Sequence, residues 1–198
     1  MVYKNIIFDL GAVLIHWNPR EIFTNIFKDE PNTVEQLLPI TKTDAWYNLD
    51  KGLFTPAQCA ENLAQAFDKE KVLKCITAVP AHLTPLHEGL EILYAIKQKG
   101  YKTYILSNMG ELSHKKIMHY DFLKEFDGSV FSYQVKLCKP EPEIYKKLLE
   151  TYDLSPHECL FIDDVMANIK GAQEIGIDGI LCSSHDFVLS EMQRLSVL

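Results

Sequence analysis

The chain has 198 residues, of which 47% are hydrophobic and 24% charged, a composition that indicates a folded protein and excludes an intrinsically disordered one. Its 27 acidic residues outnumber its 20 basic ones, and the net charge of −7 argues against binding to nucleic acid or to an anionic membrane surface. Its five cysteines include no CxxC pair, a pattern typical of buried, reduced thiols in the cytoplasm. We expect a cytoplasmic monomer or homodimer without a membrane span.

The first predicted element is a buried strand at residues 3–8. The run YKNIIF is rich in strand-forming residues and leads into Asp9, so the chain leaves the strand with a carboxylate at its carboxyl end. Because Asp9 interrupts the apolar start and no small-residue cleavage site follows, the pattern argues against a signal peptide.

The segment after the first strand has helical spacing and no convincing strand. Asn18-Pro19 and Thr55-Pro56 each pair a helix-capping residue with a proline at the first helical position. The spacing of apolar residues predicts helices at about 18–27, 33–38, 44–49, 56–67 and 69–78. An all-helical insertion at this point predicts a lid over the rest of the molecule.

Beyond residue 85, helices and strands alternate. The pattern predicts strands at 102–106, 129–131, 159–162 and 179–182, and helices at 86–99, 111–118, 142–152, 165–175 and from about 186. Strands that alternate with helices predict a parallel sheet with helices on both faces, so the predicted fold class is α/β.

Polar residues follow three of the predicted strands. Asp9, Ser107 and the pair Asp163-Asp164 stand at strand carboxyl ends, beyond which parallel sheets bind their ligands. Asp9 or Ser107 alone is compatible with a simple turn or helix cap. Two adjacent carboxylates after an apolar strand repel each other unless a cation shares them. Mg²⁺, which prefers oxygen ligands, is a cation of this kind.

These carboxylates predict a magnesium site in which one of the metal ligands is also the nucleophile. Asp9 would attack a phosphoryl group and form an aspartyl-phosphate. Asp9, a backbone carbonyl near Gly11 and one of Asp163 and Asp164 would hold Mg²⁺, which offsets the repulsion between carboxylate and phosphate. Asn168, about one helical turn beyond Asp164, would orient the metal-binding carboxylate.

Three further residues are predicted to bind the phosphoryl group. Ser107 would donate a hydrogen bond to a phosphoryl oxygen, and Asn108 stands beside it. Lys139 would place a positive charge opposite the oxygens that gain charge in the transition state. Together with Asp9, these residues predict phosphoryl-transfer chemistry.

Four segments, taken in chain order, resemble the haloacid dehalogenase superfamily, and together they span essentially the whole chain. They are Asp9-Leu-Gly-Ala-Val, Leu106-Ser-Asn, Lys139-Pro and FIDDxxxNxxGA at 161–172. The chain is most similar to bacterial α-glucose-1-phosphate phosphatases and to the N-terminal phosphatase domain of soluble epoxide hydrolases. The resemblance implies a Rossmann-like core (1–16 and 86–198), a small helical cap (17–85) and Mg²⁺-dependent phosphoester hydrolysis. It also assigns metal ligation mainly to Asp164, with Asp163 in support.

The sequence departs from this family at two positions. Most of the phosphatases carry a general acid/base aspartate where this chain has Gly11, although the glucose-1-phosphate phosphatases also tend to have glycine there. An anomeric leaving group needs less protonation, and water or a side chain such as His16 is a candidate substitute. Lys136 replaces a frequent glycine, which offers it as a lesser candidate for the charge role of Lys139.

Two alternatives remain beside the leading prediction, a phosphatase for a small phosphorylated metabolite such as a sugar phosphate. One is a metal-independent 2-haloacid dehalogenase on the same fold, against which the acidic pair Asp163-Asp164 argues. The other is a catalytically weak binding or regulatory protein, which the glycine at position 11 keeps open. Trp17, Trp46 and Tyr47 are candidates for the lining of the cleft, but aromatic residues at helical spacing are more often core residues of the helical segment, and we assign them no role.

Overall fold

A five-stranded parallel sheet forms the centre of the computed structural model, which describes residues 3–198. The first two residues of the predicted core segment 1–16 lie outside the described residues. The strand order is β3-β2-β1-β4-β5. The strands are Asn5–Phe8 (β1), Lys102–Ser107 (β2), Gly128–Phe131 (β3), Cys159–Asp163 (β4) and Asp178–Leu181 (β5). The α/β prediction is confirmed.

The register of the central strands determines which residues meet at the sheet edge. Phe8, the last residue of β1, lies opposite Ile105 of β2 and Ile162 of β4. The carboxyl ends of three neighbouring strands therefore lie side by side, so the residues that follow them converge on one region.

Five α-helices directly follow β1 in the chain and are called the helical insert below. They are Pro19–Ile26 (α1), Pro31–Leu37 (α2), Asp44–Asp50 (α3), Pro56–Leu63 (α4) and Lys69–Ala78 (α5). Asn18 caps α1, and Thr55 forms a reciprocal capping box with Gln58 at α4. The helix predicted at 56–67 ends at Leu63, because the chain turns there before Asp68 caps α5.

Six further helices cover the sheet on both faces. They are His87–Gln98 (α6), Glu111–Ile117 (α7), Ser132–Val135 (α8), Pro142–Tyr152 (α9), Met166–Gln173 (α10) and His185–Arg194 (α11). Ile6 and Phe8 of β1 pack in one apolar cluster with α6, α11 and the insert, whereas Ile7 packs in a second cluster with α9 and α10. This alternation follows from the two-residue period of a strand.

Two predictions from composition can be compared with the structure. All five cysteines are buried, and none of them is in a disulfide. Among the helices within residues 3–198, none has both the length and the apolar content needed to cross a bilayer.

Candidate active site

A cavity of about 680 Å³ lies between the carboxyl ends of the strands and the helical insert. Asp9, Ser107 and Asp164 line it from the sheet side, and Tyr47 and Asp50 line it from α3. The other predicted site residues that line it are Gly11, Asn108, Lys139 and Asn168. The structure therefore brings together residues that are up to about 160 positions apart in the chain.

A buried lysine joins two of the predicted carboxylates. Lys139 Nζ lies 2.6 Å from Asp163 Oδ2 and 2.8 Å from Asp9 Oδ1, and the whole lysine is only 2% exposed. Burial by itself would lower the pKa of Lys139, but the nearby carboxylates of Asp163 and Asp9 outweigh it and raise that pKa above its ordinary value. The ammonium group therefore stays charged and next to Asp9.

The backbone of Lys139 is held from both sides of the cavity. Asn108 Oδ1 accepts a hydrogen bond from the Lys139 N–H (2.8 Å), and Asn108 Nδ2 donates to the Lys139 carbonyl (2.9 Å). The Tyr47 hydroxyl of the insert donates to the same carbonyl at 3.0 Å. The side chain of Asn108, predicted to bind phosphate, thus positions the lysine in this structure.

Asp163 is enclosed by donors. Its Oδ1 accepts from the Val165 N–H at 2.8 Å and from Asn168 Nδ2 at 3.0 Å, while Oδ2 accepts from Lys139 and, at 3.1 Å, from Asn168. Asn168 therefore orients Asp163, the carboxylate that contacts the lysine. Asp164, the next residue, lines the cavity.

The carboxylates at this edge of the sheet have the chemistry of a Mg²⁺ site. Three carboxylate oxygens lie within 4.8 Å of one another, one each from Asp9, Asp163 and Asp164. Asp9 Oδ1 is buried and, among residues 3–198, finds no well-aligned hydrogen-bond donor, although Lys139 Nζ is 2.8 Å away. A buried oxygen without a full set of donors suits a hard cation. Since the oxygens of Asp163 already accept several hydrogen bonds, Asp9 and Asp164 are the better placed ligands.

The pKa values of these carboxyl groups indicate the same deficit of positive charge. Burial, and then repulsion from Asp9 and Asp163, raises the pKa of Asp164 to about 7. Burial also raises the pKa of Asp9, where the charge of Lys139 partly offsets it and that of Asp163 adds to it. Three carboxylates share one ammonium group, and a divalent cation would balance them.

The structure leaves room for a side chain at Gly11. A Cβ atom at this position would lie 3.5 Å from Trp17 Cβ, which is an ordinary van der Waals contact. The glycine is therefore not required by close packing at that point. His16, the candidate substitute for the missing acid, has its Nε2 3.3 Å from a carboxylate oxygen of Glu21 in α1.

Lys136 lies apart from the two buried carboxylates. Its backbone has the left-handed conformation (φ 62°) that glycine adopts most easily, so the lysine preserves the loop shape that glycine would give. Its Nζ donates to the Gly52 carbonyl of the insert at 2.7 Å. Lys139, and not Lys136, contacts Asp9.

Residues of the insert complete the cavity wall, and one of them, Asp50, was not a candidate from the sequence. Trp46 is buried as predicted, yet it also lines the cavity, with its ring centroid 6.2 Å from that of Trp17. Tyr47 and Asp50, on the same helix, had no predicted role. The one available signal was that Asp50 follows Trp46 by one helical turn, so both share a face.

The chain matches a known protein family over most of its length. The model of the haloacid dehalogenase-like hydrolases matches residues 3–176. The chain belongs to this family, and because its relatives include phosphatases that it covers over most of their length, it is an enzyme of the phosphoric monoester hydrolase class.

Individual relatives support this classification. The chain is 25% identical to the sesquiterpene phosphatase astK of Aspergillus oryzae, over 98% of this chain and 96% of the relative. It is 26% identical to the D-ribitol-5-phosphate phosphatase of Bacteroides thetaiotaomicron, over 88% and 89%. It is also 30% identical to the mouse bifunctional epoxide hydrolase 2, of which it spans only 25%, over 70% of this chain.

A solved structure with a similar fold contains magnesium and phosphate. The Asp12Ala mutant of the HAD family enzyme bt-2542 from Bacteroides thetaiotaomicron, in complex with magnesium and inorganic phosphate, is 30% identical. The likeness covers 90% of this chain and 93% of that one, with a TM-score of 0.69. A relative with this fold therefore binds both groups that the sequence predicts here.

Proposed function

We propose that the protein is a Mg²⁺-dependent phosphatase of the cytoplasm that hydrolyses a small phosphorylated metabolite through an aspartyl-phosphate on Asp9. The observation that carries the proposal is the position of Asp9. Its buried Oδ1 lies beside a charged lysine and within a carboxylate cluster, on the sheet side of a cavity of about 680 Å³. Such a carboxylate is fixed in place, and the ammonium group beside it can bind a phosphoryl oxygen.

Each residue of the cluster has a distinct part in this proposal. Asp9, Asp164 and the Gly11 carbonyl would hold Mg²⁺, with Asp163 in support. When bound, the ion supplies positive charge that lowers the repulsion between a carboxylate and a phosphoryl group. Lys139, held by Asp163, stabilises the phosphoryl oxygens as they gain charge.

Ser107 and Asn108 would contact the phosphate at the end of β2. Ser107 is 1% exposed and lines the cavity, so its hydroxyl is available to a phosphoryl oxygen only from that side. Asn168 would not contact the phosphate itself. It orients the Asp163 carboxylate, which in turn holds Lys139.

We propose that the helical insert, with its flanks at 17–85, is a cap over a core of residues 1–16 and 86–198. Tyr47 donates to the Lys139 carbonyl, and Lys51 forms an ion pair with Glu141, two residues beyond the lysine. The insert thus contacts the segment that carries the phosphate-binding lysine. The position of the cap is therefore linked to the position of the Lys139 backbone.

Sugar phosphates are the leading substrate class. A cavity of about 680 Å³ can hold a sugar phosphate, and a relative that covers most of this chain is a D-ribitol-5-phosphate phosphatase. If a good anomeric leaving group compensates for Gly11, sugar 1-phosphates will have a higher kcat/KM than the matching 6-phosphates. A clear preference for the 6-phosphates would contradict that explanation.

The decisive test of the proposed reaction uses p-nitrophenyl phosphate with and without EDTA. A Mg²⁺-dependent phosphatase loses its activity with the chelator and regains it when Mg²⁺ is added in excess. Dehalogenation of a 2-haloacid that persists in EDTA would instead support the dehalogenase alternative, against which the buried carboxylates argue. Absence of turnover on a metal-supplemented panel of phosphorylated metabolites would support the weak binding or regulatory alternative.

A further inference from the structure

The departing alcohol of a phosphate monoester needs a proton, and Gly11 has no side chain to supply one. This inference rests on the proposed phosphatase function. A positioned general acid typically contributes about 10²–10⁴-fold to the rate, so the donor is a substantial part of the catalyst. A proton donor for the leaving alcohol has to be a side chain that lines the cavity.

Most of the ionisable residues that line the cavity are already engaged. Lys139 contacts two carboxylates, and Asp9 and Asp164 belong to the predicted metal and nucleophile site. The hydroxyl of Tyr47 donates to the Lys139 carbonyl, and burial raises its pKa further above the ordinary value. Lys42 and Asp44 also line the cavity, but both are exposed at its rim.

Asp50 differs from these residues in its position. It is the last residue of α3 and lines the same cavity as Asp9 and Ser107. A Cβ atom built on Gly110 would lie 3.7 Å from Asp50 Oδ1, so the carboxyl group lies against the loop that follows Ser107 at the end of β2. Ser132 Oγ donates to the Asp50 carbonyl at 2.6 Å and fixes its backbone to the core.

The surroundings of Asp50 favour a protonated carboxyl group. Burial, with a contribution from the charge of Asp9, raises its pKa to about 7, although the Gly110 N–H and the Trp46 indole lower it in part. The neighbouring cation, Lys51, is paired with Glu141. Other ionisable groups near enough to interact with it are Tyr47, Cys59 and Cys138. A carboxyl group that titrates near neutral pH can both give and take a proton.

We propose that Asp50 replaces the acid/base aspartate that Gly11 lacks. As a carboxylate oxygen of Asp9 bonds to phosphorus, the bond from phosphorus to the alcohol oxygen breaks, and that oxygen takes the proton of Asp50. Water then attacks the phosphorus of the aspartyl-phosphate and gives its proton to the Asp50 carboxylate. The bond to Asp9 breaks, and inorganic phosphate, the Asp9 carboxylate and protonated Asp50 are restored.

A proton donor on the insert widens the range of possible substrates. With a proton donor on the insert, the enzyme needs no unusually good leaving group, and ordinary alkyl phosphates become substrates. The donor also reaches the site only when the insert lies against the core, as it does here through Tyr47 and Ser132. Cleavage is thereby coupled to a closed cavity.

The test compares two substrates of similar shape with the full-length protein in Mg²⁺. The nitrophenolate of p-nitrophenyl phosphate leaves without a proton, whereas the alkoxide of p-nitrobenzyl phosphate does not. For Asp50→Asn we expect kcat/KM to fall about 10²-fold or more on p-nitrobenzyl phosphate. On p-nitrophenyl phosphate we expect a fall of less than about threefold in kcat/KM, which reports the first chemical step.

Control variants separate proton transfer from damage to the fold. Asp29→Asn makes the same side-chain substitution at an exposed position between α1 and α2 and leaves kcat/KM on both substrates unaffected. Asp50→Glu and the double variant Asp50→Asn/Gly11→Asp, for which a Cβ at Gly11 has room, each return a carboxyl group to the cavity. At least one of them recovers activity on p-nitrobenzyl phosphate. Thermal unfolding confirms that each variant is folded.

The outcomes distinguish this inference from the function on which it rests. Equal losses on the two substrates, no loss on either, or no recovery with either restored carboxyl group would overturn the role of Asp50 while the phosphatase function stands. A wild-type protein that hydrolyses neither compound would overturn both.

Discussion

The two ends of the sheet carry the same residue type in opposite electrostatic states. At the amino end, Asp127 binds Lys97 (3.0 Å), Lys102 (2.7 Å) and the Thr103 N–H (3.0 Å), and these donors outweigh burial and lower its pKa to about 2. At the carboxyl end, the pKa of Asp164 is raised to about 7. At the amino end, two lysines of the chain balance the charge of Asp127. At the carboxyl end, Asp164 has no cation of its own to balance its charge among the described residues.

The difference indicates that the amino end of the sheet stabilises the fold, whereas the carboxyl end is arranged to bind a ligand. A carboxylate with matched donors contributes to the free energy of unfolding, whereas an unbalanced buried cluster reduces it. Strain of this kind is kept at positions where a ligand relieves it. We therefore expect the same kind of substitution to have opposite effects at the two ends.

The largest change in stability is expected for Lys139→Met. The substitution leaves the carboxylates of Asp9 and Asp163 buried without their cation, which should cost about 3–5 kcal/mol of unfolding free energy. Lys102→Met, at the exposed side of Asp127, is the matched control and should cost much less, because solvent screens an exposed ion pair. Urea unfolding in EDTA measures both, and equal costs would contradict the distinction between the two ends.

An intermediate effect of opposite sign is expected for Asp164→Asn. Because the folded-state pKa of about 7 lies above the ordinary 3.8, ionised Asp164 destabilises the fold, increasingly as the pH rises from about 4 to above 7. In EDTA at pH 8 the variant should be about 1–3 kcal/mol more stable than the wild type, and near pH 4 the two should converge. Mg²⁺ should raise the Tm of the wild type and have little effect on the variant. A metal-free variant that is less stable at pH 8 would contradict this interpretation.

The smallest effect is expected for Asp127→Asn. Its lowered pKa means that ionised Asp127 stabilises the fold above about pH 4, and this contribution is lost as the pH falls towards 2. We expect the variant to be about 1–2 kcal/mol less stable at pH 7, after allowance for solvent screening, and equal to the wild type at pH 2. Phosphatase activity should not change, since Asp127 is at the far end of the sheet. A loss of activity without a loss of stability would show that the two ends are not independent.

The sequence could predict the sheet side of the site because strand periodicity fixes it. Once residues 3–8 and 159–162 are central parallel strands, Asp9 and Asp163 must meet at one edge. The insert side could not be predicted in the same way. Helical spacing shows that Trp46 and Asp50 share a face, but only contacts distant in sequence, such as Tyr47 with Lys139, determine what that face meets.

The contacts of Asn108 were also beyond prediction from the sequence, because they too involve a residue distant in the chain. Its place after β2 predicted a contact with phosphate, and nothing in the sequence showed that its side chain would hold the backbone of a residue 31 positions later. Likewise, the left-handed conformation of Lys136 could be suspected only from the glycine that related chains often have there.

The central claim is that the carboxylate of Asp9 receives the phosphoryl group. The most direct measurement is mass spectrometry of the protein after it has turned over p-nitrophenyl phosphate in Mg²⁺ and has been quenched in acid. We predict that one phosphoryl group is found on the peptide that contains Asp9, and that it is absent from Asp9→Asn and from samples in EDTA. Steady turnover by Asp9→Asn, or a phosphoryl group on another residue of the wild type, would contradict the account.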